Sequence, residues 1–334
     1  MKILSIETSC DETAFAVIDC KGGLTNPSFR VEKNLVSSQI NIHRPFGGVV
    51  PNLAKREHLK NLPLIFEKIL KFYPNLKNID VVAVTVGPGL EPALWTGINF
   101  AKFIGNIYKK QVLGGNHLEG HLYSSLLSHK EKVKLPAIAL IVSGGHTMIL
   151  KMDKLSAWKK IGETKDDAAG EAFDKVARLL DLPYPGGPEV ERLAKKGNEN
   201  AISFPRPMLT HKNYDFSFSG LKTSVLYYLR DNPKAKKADV AASFQKAAVD
   251  VLVKKTLRAA DEFGAETIIL GGGVAANKYL KNHLSKEAKR AGVKFIVPKG
   301  EFNTDNAAMI ATSSYINHLK KKKYRLIAQA NLSM

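Results

Sequence analysis

The chain has 334 residues, 44% of them hydrophobic and 24% charged, a composition that excludes a largely disordered polypeptide. Lys and Arg number 50 against 31 Asp and Glu, and the formal net charge of +19 predicts attraction to a polyanion such as nucleic acid. The two cysteines, Cys10 and Cys20, are too few for a disulfide scaffold and fit a reducing compartment. With neither a signal peptide nor an apolar run of about 20 residues, the sequence predicts a cytoplasmic protein without a membrane segment.

Apolar runs and turn signals divide the chain into a regular order of elements. The first part predicts strands over residues 2–7, 13–19 and 79–86, and helices over residues 92–108 and 116–128. The second part predicts strands over residues 137–142, 146–152 and 267–270, and a helix over residues 275–289. In each part a strand–turn–strand unit comes first, and a strand–glycine turn–helix unit follows.

This repeated order fits the α/β plan of the two-lobed actin, Hsp70 and sugar-kinase (ASKHA) superfamily, in which a nucleotide binds between duplicated halves. A generic α/β protein with several glycine turns is the alternative. We expect a first lobe over residues 1–134, joined by a C-terminal helix over residues 305–334. The second lobe then covers residues 135–304 and contains an insert over about residues 158–239.

Two histidines, His117 and His121, lie four residues apart in a predicted helix and would share one face, within reach of a single metal ion. An ordinary surface or helix-cap pair is the alternative. The zinc peptidase motif needs glutamate directly after the first histidine, and Leu118 stands there. Glu119 points roughly 200° around the helix from His117, so the spacing disfavours a peptidase.

A carboxylate elsewhere in the chain could complete such a site. Asp305, in Thr304-Asp305-Asn306, lies at the start of the last predicted helix, where an isolated aspartate is explained as a helix cap. With His117 and His121 it would instead form a set of two histidines and one carboxylate, which suits iron or zinc.

Four small or glycine-rich turns follow apolar strands, at the strand ends where ligands of α/β sheets gather. They are Thr8-Ser9, Gly87-Pro88-Gly89, Ser143-Gly144-Gly145 and Gly271-Gly272-Gly273. Their backbone N–H groups could bind phosphate oxygens, although tight turns also need glycine for conformational reasons. The candidate phosphate contacts are Thr8, Ser9, Gly271, Gly272 and Gly273. A P-loop is excluded because no turn has its spacing.

Two charged segments invite a functional interpretation. Residues 162–174 are densely acidic: Asp166 and Asp167 would cap the helix that follows, while Glu171 and Asp174 could face a ligand hydroxyl. The basic run over residues 318–325 is interpreted as a solvated surface, with a specific RNA contact as the alternative.

Eight motifs occur in an order that is typical of one family. They are Ile6-Glu7-Thr8-Ser9-Cys10-Asp11-Glu12-Thr13, Gly87-Pro88-Gly89-Leu90, Asn116-His117-Leu118-Glu119-Gly120-His121, Val142-Ser143-Gly144-Gly145-His146-Thr147, the acidic residues 162–174, Tyr184-Pro185-Gly186-Gly187-Pro188, Phe216-Ser217-Phe218-Ser219-Gly220-Leu221-Lys222-Thr223 and Gly271-Gly272-Gly273-Val274-Ala275-Ala276-Asn277. Over nearly its whole length the chain closely resembles the TsaD/Gcp family of tRNA N6-adenosine threonylcarbamoyltransferases, in its bacterial-type branch.

The resemblance implies an actin/Hsp70-like fold and a group transfer. Threonylcarbamoyl-AMP would donate its threonylcarbamoyl group to N6 of adenosine 37 in tRNAs that read codons beginning with A, and AMP would leave. By motif position, His117, His121 and Asp305 would bind one divalent metal ion per subunit. Fe²⁺ is the first expectation for this ion, and Zn²⁺ is the second. The implied substrate-binding residues are Val142, Ser143, Gly144, Gly145, His146, Asp174, Gly187, Glu191 and Asn277. No residue is implied as a nucleophile.

The resemblance also implies partners: tRNA, an inactive paralogue of the TsaB type and a small ATPase of the TsaE type. After Gly87-Pro88-Gly89-Leu90, the residues Glu91-Pro92-Ala93-Leu94-Trp95 depart from the smaller or aliphatic residues of many bacterial members, which affects the helix surface that partners use. A small-metabolite kinase of the same superfamily is the main alternative function, and it would not need the histidine pair. A metal-dependent peptidase and a non-catalytic scaffold are disfavoured by Leu118 and by the histidine pair, respectively.

Overall fold

Two five-stranded sheets organise the chain in the computed structural model, which describes residues 1–127 and 133–334. The strands are β1 (Lys2–Glu7), β2 (Glu12–Lys21), β3 (Ser28–Ser38), β4 (Val81–Gly87), β5 (Gln111–Asn116), β6 (Ala137–Val142), β7 (Thr147–Lys154), β8 (Ala157–Glu163), β9 (Thr267–Gly271) and β10 (Lys294–Ile296). The α-helices are α1 (Ile40–His43), α2 (Pro51–Phe72), α3 (Glu91–Ile107), α4 (His117–Tyr123), α5 (Ala169–Leu179), α6 (Gly186–Ala194), α7 (Ser219–Asp231), α8 (Lys237–Glu262), α9 (Lys278–Arg290) and α10 (Ala307–Leu319). Their contacts define unit 1, residues 1–132 and 298–334, and unit 2, residues 133–297.

Unit 1 is built on a sheet with the strand order β3-β2-β1-β4-β5. β1 is antiparallel to β2 and parallel to β4, and β4 is parallel to β5. Alternate side chains of β1 enter different cores, as the period of two in a strand requires. Leu4 and Ile6 pack with residues of α2 and α3, whereas Ile3 packs with Met309 and Ile310 of α10. The sheet is therefore covered on both faces, with α10 on the face opposite α2 and α3.

Unit 2 repeats this plan with the order β10-β9-β6-β7-β8. β6 is antiparallel to β7 and parallel to β9, as β1 is to β2 and β4. One apolar core joins the sheet to α5, α6, α8 and α9, with the buried residues Ile138, Phe173, Val190, Phe244 and Leu280 among its members. The predicted insert, residues 158–239, contributes Phe216 and Leu221 to this same core.

The predicted strands all occur, because each is an apolar run that a two-sided sheet buries. The helix predicted over residues 116–128 ends as α4 at Tyr123 and continues as a short 3₁₀ helix, Ser124–Leu127, while its predicted end at Ser128 lies outside the described residues. The helix predicted over residues 275–289 begins at Lys278 instead, because the side chain of Asn277 caps it by accepting from Leu280 N at 2.9 Å.

The prediction of a C-terminal helix over residues 305–334 was wrong at both ends. Asn306 rather than Asp305 caps α10, and the helix ends at Leu319. Lys321 adopts a left-handed φ of 57°, a common conformation just past a helix end. Residues 320–334, here called the C-terminal segment, continue as irregular backbone along unit 1. The chain returns to unit 1 before α10 begins, since Phe302 already packs into the core of unit 1.

Candidate functional site

The histidine pair lies at the junction of β5 and α4. Asn116 ends the strand and caps the helix, its Oδ1 accepting from Leu118 N at 2.8 Å and from Glu119 N at 3.2 Å. His117 and His121 therefore stand one turn apart on α4, with ring centroids 4.6 Å apart and both side chains buried. The predicted shared helix face is confirmed.

Asp305 joins the pair because Asn306 has taken over the capping of α10. Asn306 Oδ1 accepts from Met309 N at 3.1 Å, so the neighbouring carboxylate is not needed as a cap. Asp305 Oδ1 lies 3.2 Å from His121 Nε2 and 3.6 Å from His117 Nε2. One ligand atom of each residue falls within 4.8 Å of the other two. The three predicted residues thus converge within unit 1.

The donor set fits a metal ion. Two ligands of one ion, each about 2.1 Å from it, stand about 3.0–3.5 Å apart, close to the observed separations. Within the described residues, neither ring nitrogen of His121 makes a hydrogen bond although both are buried, and a buried polar atom without a partner is unfavourable. His117, His121 and Asp305 could therefore hold a metal ion, which would give Nε2 of His121 a partner.

Glu7 orients His117, a role that sequence reasoning missed. His117 Nδ1 lies 3.3 Å from Glu7 Oε2 and 3.1 Å from Ser9 Oγ. Glu7 is fully buried and accepts from Thr85 Oγ1 at 2.6 Å. A histidine ligand commonly donates its second ring N–H to a carboxylate, which directs the other nitrogen at the ion. The motif containing Glu7 was visible in the sequence, but nothing in it pairs this carboxylate with a histidine 110 residues away.

The charges of the cluster shift its pKa values. Burial opposes ionisation of Glu7, but the charge of His117 and its hydrogen bond outweigh burial and hold the pKa of the Glu7 carboxyl below its ordinary value. Burial likewise opposes protonation of His117, yet the carboxylates of Asp305 and Glu7 raise its pKa to about 9. The lowered pKa keeps Glu7 anionic, and its charge favours a cation at this position.

Glu119 does not face the histidine pair, as its helical angle predicts. Its buried carboxylate accepts from Asn317 Nδ2 on α10 and, at 2.8 Å, from Lys322 Nζ in the C-terminal segment. The geometry of a zinc peptidase, with a glutamate beside the two histidines, is therefore not formed by this residue.

The small turn after β1 lies against the turn after β4. Leu90 N donates to Ser9 O at 2.8 Å, and a Cβ on Gly89 would lie 2.6 Å from the same oxygen. The hydroxyl of Thr8 donates to Ala93 O at 3.0 Å, and that of Ser9 contacts His117. Both predicted phosphate contacts of unit 1 therefore use their hydroxyls internally, and their phosphate role stays a prediction.

In unit 2, the turn after β9 (residues 271–273) lies against the end of β6, where the turn over residues 143–145 begins. Gly272 has a φ of 88°, and a Cβ there would lie 2.3 Å from Val142 O at the end of β6. Ser143 N donates to His146 O at 2.8 Å, which closes the turn over residues 143–146. Gly144 and Gly145 in that turn are exposed, with open space where a Cβ would stand. Their backbone is accessible to a ligand.

The other predicted substrate residues of unit 2 gather at the starts of helices. Asp174 Oδ1 accepts from Gly186 N at 2.7 Å and fixes the start of α6, where Gly187 has open space around it. One turn later, Glu191 Oε1 accepts from Lys278 N at 3.1 Å, beside Asn277. Asn277 Nδ2 donates to Gln245 Oε1 at 3.1 Å. These residues thus line the starts of α6 and α9, and their substrate role stays a prediction.

The acidic segment corrects one expectation. Asp166 and Asp167 do not cap α5, whose N-cap residue is Ala168. Asp166 instead accepts from Phe218 N at 2.8 Å at the start of α7, and Asp167 accepts from Lys175 Nζ at 2.7 Å. Asp166 therefore helps to hold the fold of unit 2 together, because the chain returns to it about fifty residues later.

The basic run is only partly a solvated surface. Side chains of the C-terminal segment alternate, with Lys321, Lys323 and Arg325 exposed and Lys322 and Tyr324 turned toward unit 1. Lys322 is therefore a structural residue, whereas the three outward cations could meet a polyanion.

A groove of about 680 Å³ lies between α2 and α3 in unit 1. Its walls include Leu59, Pro63, Trp95 and Phe103. Leu59 is 55% exposed and Phe103 58%, which is unusual for large apolar side chains that lie together on a surface. Trp95 lies in this groove as well.

None of the helices in residues 1–127 and 133–334 combines the length and the apolar character that a bilayer crossing needs.

Comparison with known proteins supplies the family. The family model for TsaD, tRNA N6-adenosine threonylcarbamoyltransferase, matches residues 30–312. The chain belongs to the TsaD family. It is 48% identical to the tRNA N6-adenosine threonylcarbamoyltransferase of Thermosipho africanus over 94% of each chain. It is 46% identical to that of Moorella thermoacetica over 96% of this chain and 92% of the relative.

Solved structures agree on the fold. HypF of T. kodakarensis superposes with a TM-score of 0.62 at 16% identity, over 96% of this chain and 48% of that one. The activator of 2-hydroxyisocaproyl-CoA dehydratase from Clostridium difficile superposes with a TM-score of 0.50 at 15% identity, over 96% of both chains. At such identities the likeness shows the fold alone, which confirms the actin/Hsp70/sugar-kinase class with duplicated α/β halves.

Membership of the TsaD family decides the activity. The chain is a tRNA-modifying transferase that adds a threonylcarbamoyl group to N6 of adenosine, and tRNA is its substrate. Neither the small-metabolite kinase nor the peptidase gains support from these relatives.

Proposed function

We propose that this TsaD-family enzyme takes its acyl group from threonylcarbamoyl-AMP and modifies adenosine 37 of tRNAs that read codons beginning with A. The observation that carries the proposal is the cluster of the buried His117 and His121 with the half-buried Asp305, in a chain that matches the transferase family. A kinase of this fold has no need for that cluster.

The proposed reaction needs alignment more than a strong nucleophile. The N6 amine of adenosine attacks the carbamoyl carbon, a C–N bond forms, the C–O bond to the phosphate breaks, and AMP leaves while the amine loses one proton. Because the donor is already an activated mixed anhydride, holding the two reactants in line accounts for most of the acceleration.

The metal site is assigned to His117, His121 and Asp305, with one divalent ion per subunit. Two imidazoles and one carboxylate with open positions suit Fe²⁺, our first choice, and also Zn²⁺. A bound ion would supply Lewis-acid polarisation of a donor oxygen. Glu7 and Ser9 would hold the ring of His117 in the ligating orientation.

The adenylate is assigned to unit 2. Exposed backbone at Gly144 and Gly145, and the open start of α6 at Gly187, support this assignment. The residues proposed to line the site are Val142, Ser143, Gly144, Gly145, His146, Asp174, Gly187, Glu191 and Asn277. Gly271, Gly272 and Gly273 are proposed as phosphate contacts in unit 2, with Thr8 and Ser9 in unit 1.

The proposed protein partners are an inactive paralogue of the TsaB type and a small ATPase of the TsaE type, in the cytoplasm. We assign the paralogue to the groove between α2 and α3. A paralogue of the same fold carries the same pair of helices, so two apolar helix pairs can pack against each other around Trp95 and Phe103.

The test is a reconstituted transfer. The purified chain is incubated with the adenylate-forming enzyme, bicarbonate, threonine, ATP, the two partners and unmodified tRNA, and the nucleosides are analysed by mass spectrometry. We expect N6-threonylcarbamoyladenosine only when the chain and the adenylate-forming enzyme are both present. Phosphorylation of a small metabolite without tRNA modification would overturn the proposal.

Replacing Cys10 by alanine is expected to leave transfer within about threefold of the wild type. Burial, and next the charge of Asp11, raise the pKa of the Cys10 thiol well above its ordinary value, so it stays protonated and is a poor nucleophile. The same nucleoside assay measures the rate. A loss of more than about 100-fold with unchanged metal content would instead indicate covalent catalysis by Cys10.

Removing the outward cations of the C-terminal segment is expected to weaken tRNA binding. The triple substitution Lys321→Gln, Lys323→Gln and Arg325→Gln should reduce the slope of log affinity against log salt by about 2–3, since each lost phosphate contact removes roughly 0.7–0.9. The matched control replaces the exposed Lys68, Lys71 and Lys77 of unit 1 by glutamine. Equal slopes for the triple variant and the wild type would exclude this surface as the tRNA contact.

A further inference from the structure

Glu119 is a fully buried carboxylate that the proposed chemistry does not use. It lies on α4 between the two histidines in sequence, with its side chain directed away from them. A buried charge is costly unless partners compensate it, and Asn317 and Lys322 do so for Glu119. Asn317 Nδ2 donates to Oε2, and Lys322 Nζ donates to Oε1 at 2.8 Å.

The first partner ties together the two elements that carry the candidate metal ligands. α4 carries His117 and His121, and Asp305 directly precedes the cap of α10, the helix that contains Asn317. The helices pack closely because residue 120 is glycine: a Cβ there would lie 3.0 Å from Met309 Cγ and 3.1 Å from Ile310 Cδ1. The Glu119–Asn317 hydrogen bond therefore fixes the relative position of α4 and α10.

The second partner brings in the C-terminal segment. Lys322 supplies the positive charge beside Glu119, and Asn116, the cap of α4, donates from Nδ2 to Ser333 O at 3.1 Å. The segment is itself fixed to the sheet, since Gln329 N donates to Val86 O at 2.8 Å. The C-terminal segment thus holds α4 at two points, Glu119 and the cap residue Asn116.

We propose that Glu119 is a positioning residue: through Asn317 and Lys322 it holds α4 against α10 and the C-terminal segment, so that His117, His121 and Asp305 are set for one metal ion before it binds. The proposal rests on the metal site proposed above. It assigns the C-terminal segment a part in metal affinity.

The test uses Co²⁺ alone as the probe, because its visible absorption reports ligand geometry without any transfer reaction. The full-length protein is stripped of metal and titrated with Co²⁺ against a chelator. Glu119→Ala is expected to lower Co²⁺ affinity about 10–100-fold and to change the absorption spectrum, the effect of losing support behind a metal ligand. Lys322→Met is expected to act in the same direction from the other side of the contact.

Glu119→Gln is the conservative variant that should rescue the site. Glutamine keeps an acceptor for Lys322, and its amide can donate to Asn317 Oδ1, which makes no hydrogen bond within the described residues. We expect its affinity within about threefold of the wild type. Ile69→Ala, on the buried face of α2, lowers stability without touching the site, and it should leave the Co²⁺ spectrum unchanged.

Two results separate the inference from the metal site itself. If Glu119→Ala and Lys322→Met both bind Co²⁺ with wild-type affinity and spectrum while His121→Ala does not bind it, the positioning role is refuted and the metal site stands. If His121→Ala binds Co²⁺ as the wild type does, the metal site is refuted. Should Glu119→Ala fail to fold, Lys322→Met decides, because Lys322 is partly exposed and its substitution keeps the hydrogen bond from Asn317 to Glu119.

Discussion

Substitution of His117 by alanine is expected to abolish both metal binding and threonylcarbamoyl transfer. Only His121 and Asp305 would then remain of the cluster, too few protein ligands for a stable site. We expect metal affinity to fall at least about 100-fold and transfer to fall with it. Metal content by atomic emission and modified nucleoside by mass spectrometry measure the two losses on one preparation.

A second histidine variant separates ligation from other contacts. His117 also contacts Glu7 and Ser9, whereas His121 contacts Asp305 and the ring of His117, which belong to the same cluster, so His121→Ala removes a ligand and leaves Glu7 and Ser9 in place. His318→Ala, on an exposed position of α10, is the matched control and should keep both properties. Full transfer by metal-free His117→Ala protein would refute the metal role.

Gly272→Ala is expected to destabilise unit 2 by about 3 kcal/mol. A φ of 88° disfavours any side chain, and the new Cβ would lie 2.3 Å from the backbone oxygen of Val142. Strand ends β6 and β9 would have to separate, which disturbs the turns proposed to bind the adenylate. The expected fall in thermal midpoint is about 6–12 °C, measured by calorimetry.

Gly273 provides the control for this substitution. It follows Gly272 in the same turn, but a Cβ there meets no atom within 4 Å. Gly273→Ala should therefore shift stability by less than about 1 kcal/mol. An unfolding midpoint of Gly272→Ala equal to that of Gly273→Ala would show that the strand ends accommodate the methyl group.

The sequence predicted local features well because they depend on neighbours in the chain. The strands β1, β4, β6 and β9 follow from short apolar runs, and the common face of His117 and His121 follows from a four-residue spacing on a helix. Leu118 was enough to disfavour a peptidase. These conclusions need only the period of the secondary structure.

Contacts between distant residues could not be predicted in the same way. Either Asp305 or Asn306 could have capped α10, and only the fold shows that the amide does so and that the carboxylate joins the histidines. Asp166 caps a helix far ahead of it rather than the next one. Capping propensity shows that a residue can cap a helix, but it does not show which helix. The partner of such a residue is therefore known only from the tertiary packing.

The return of residues 298–334 to unit 1 has a consequence for biosynthesis. The ribosome synthesises all of unit 2 before Asp305, Asn317 and Lys322. Unit 2 can therefore fold first, whereas strands β1 to β5 of unit 1 cannot pack against α10 until it has been synthesised. A nascent chain can therefore complete the proposed metal site only after Asp305 has emerged, and a chain truncated before that residue would have His117 and His121 without the aspartate.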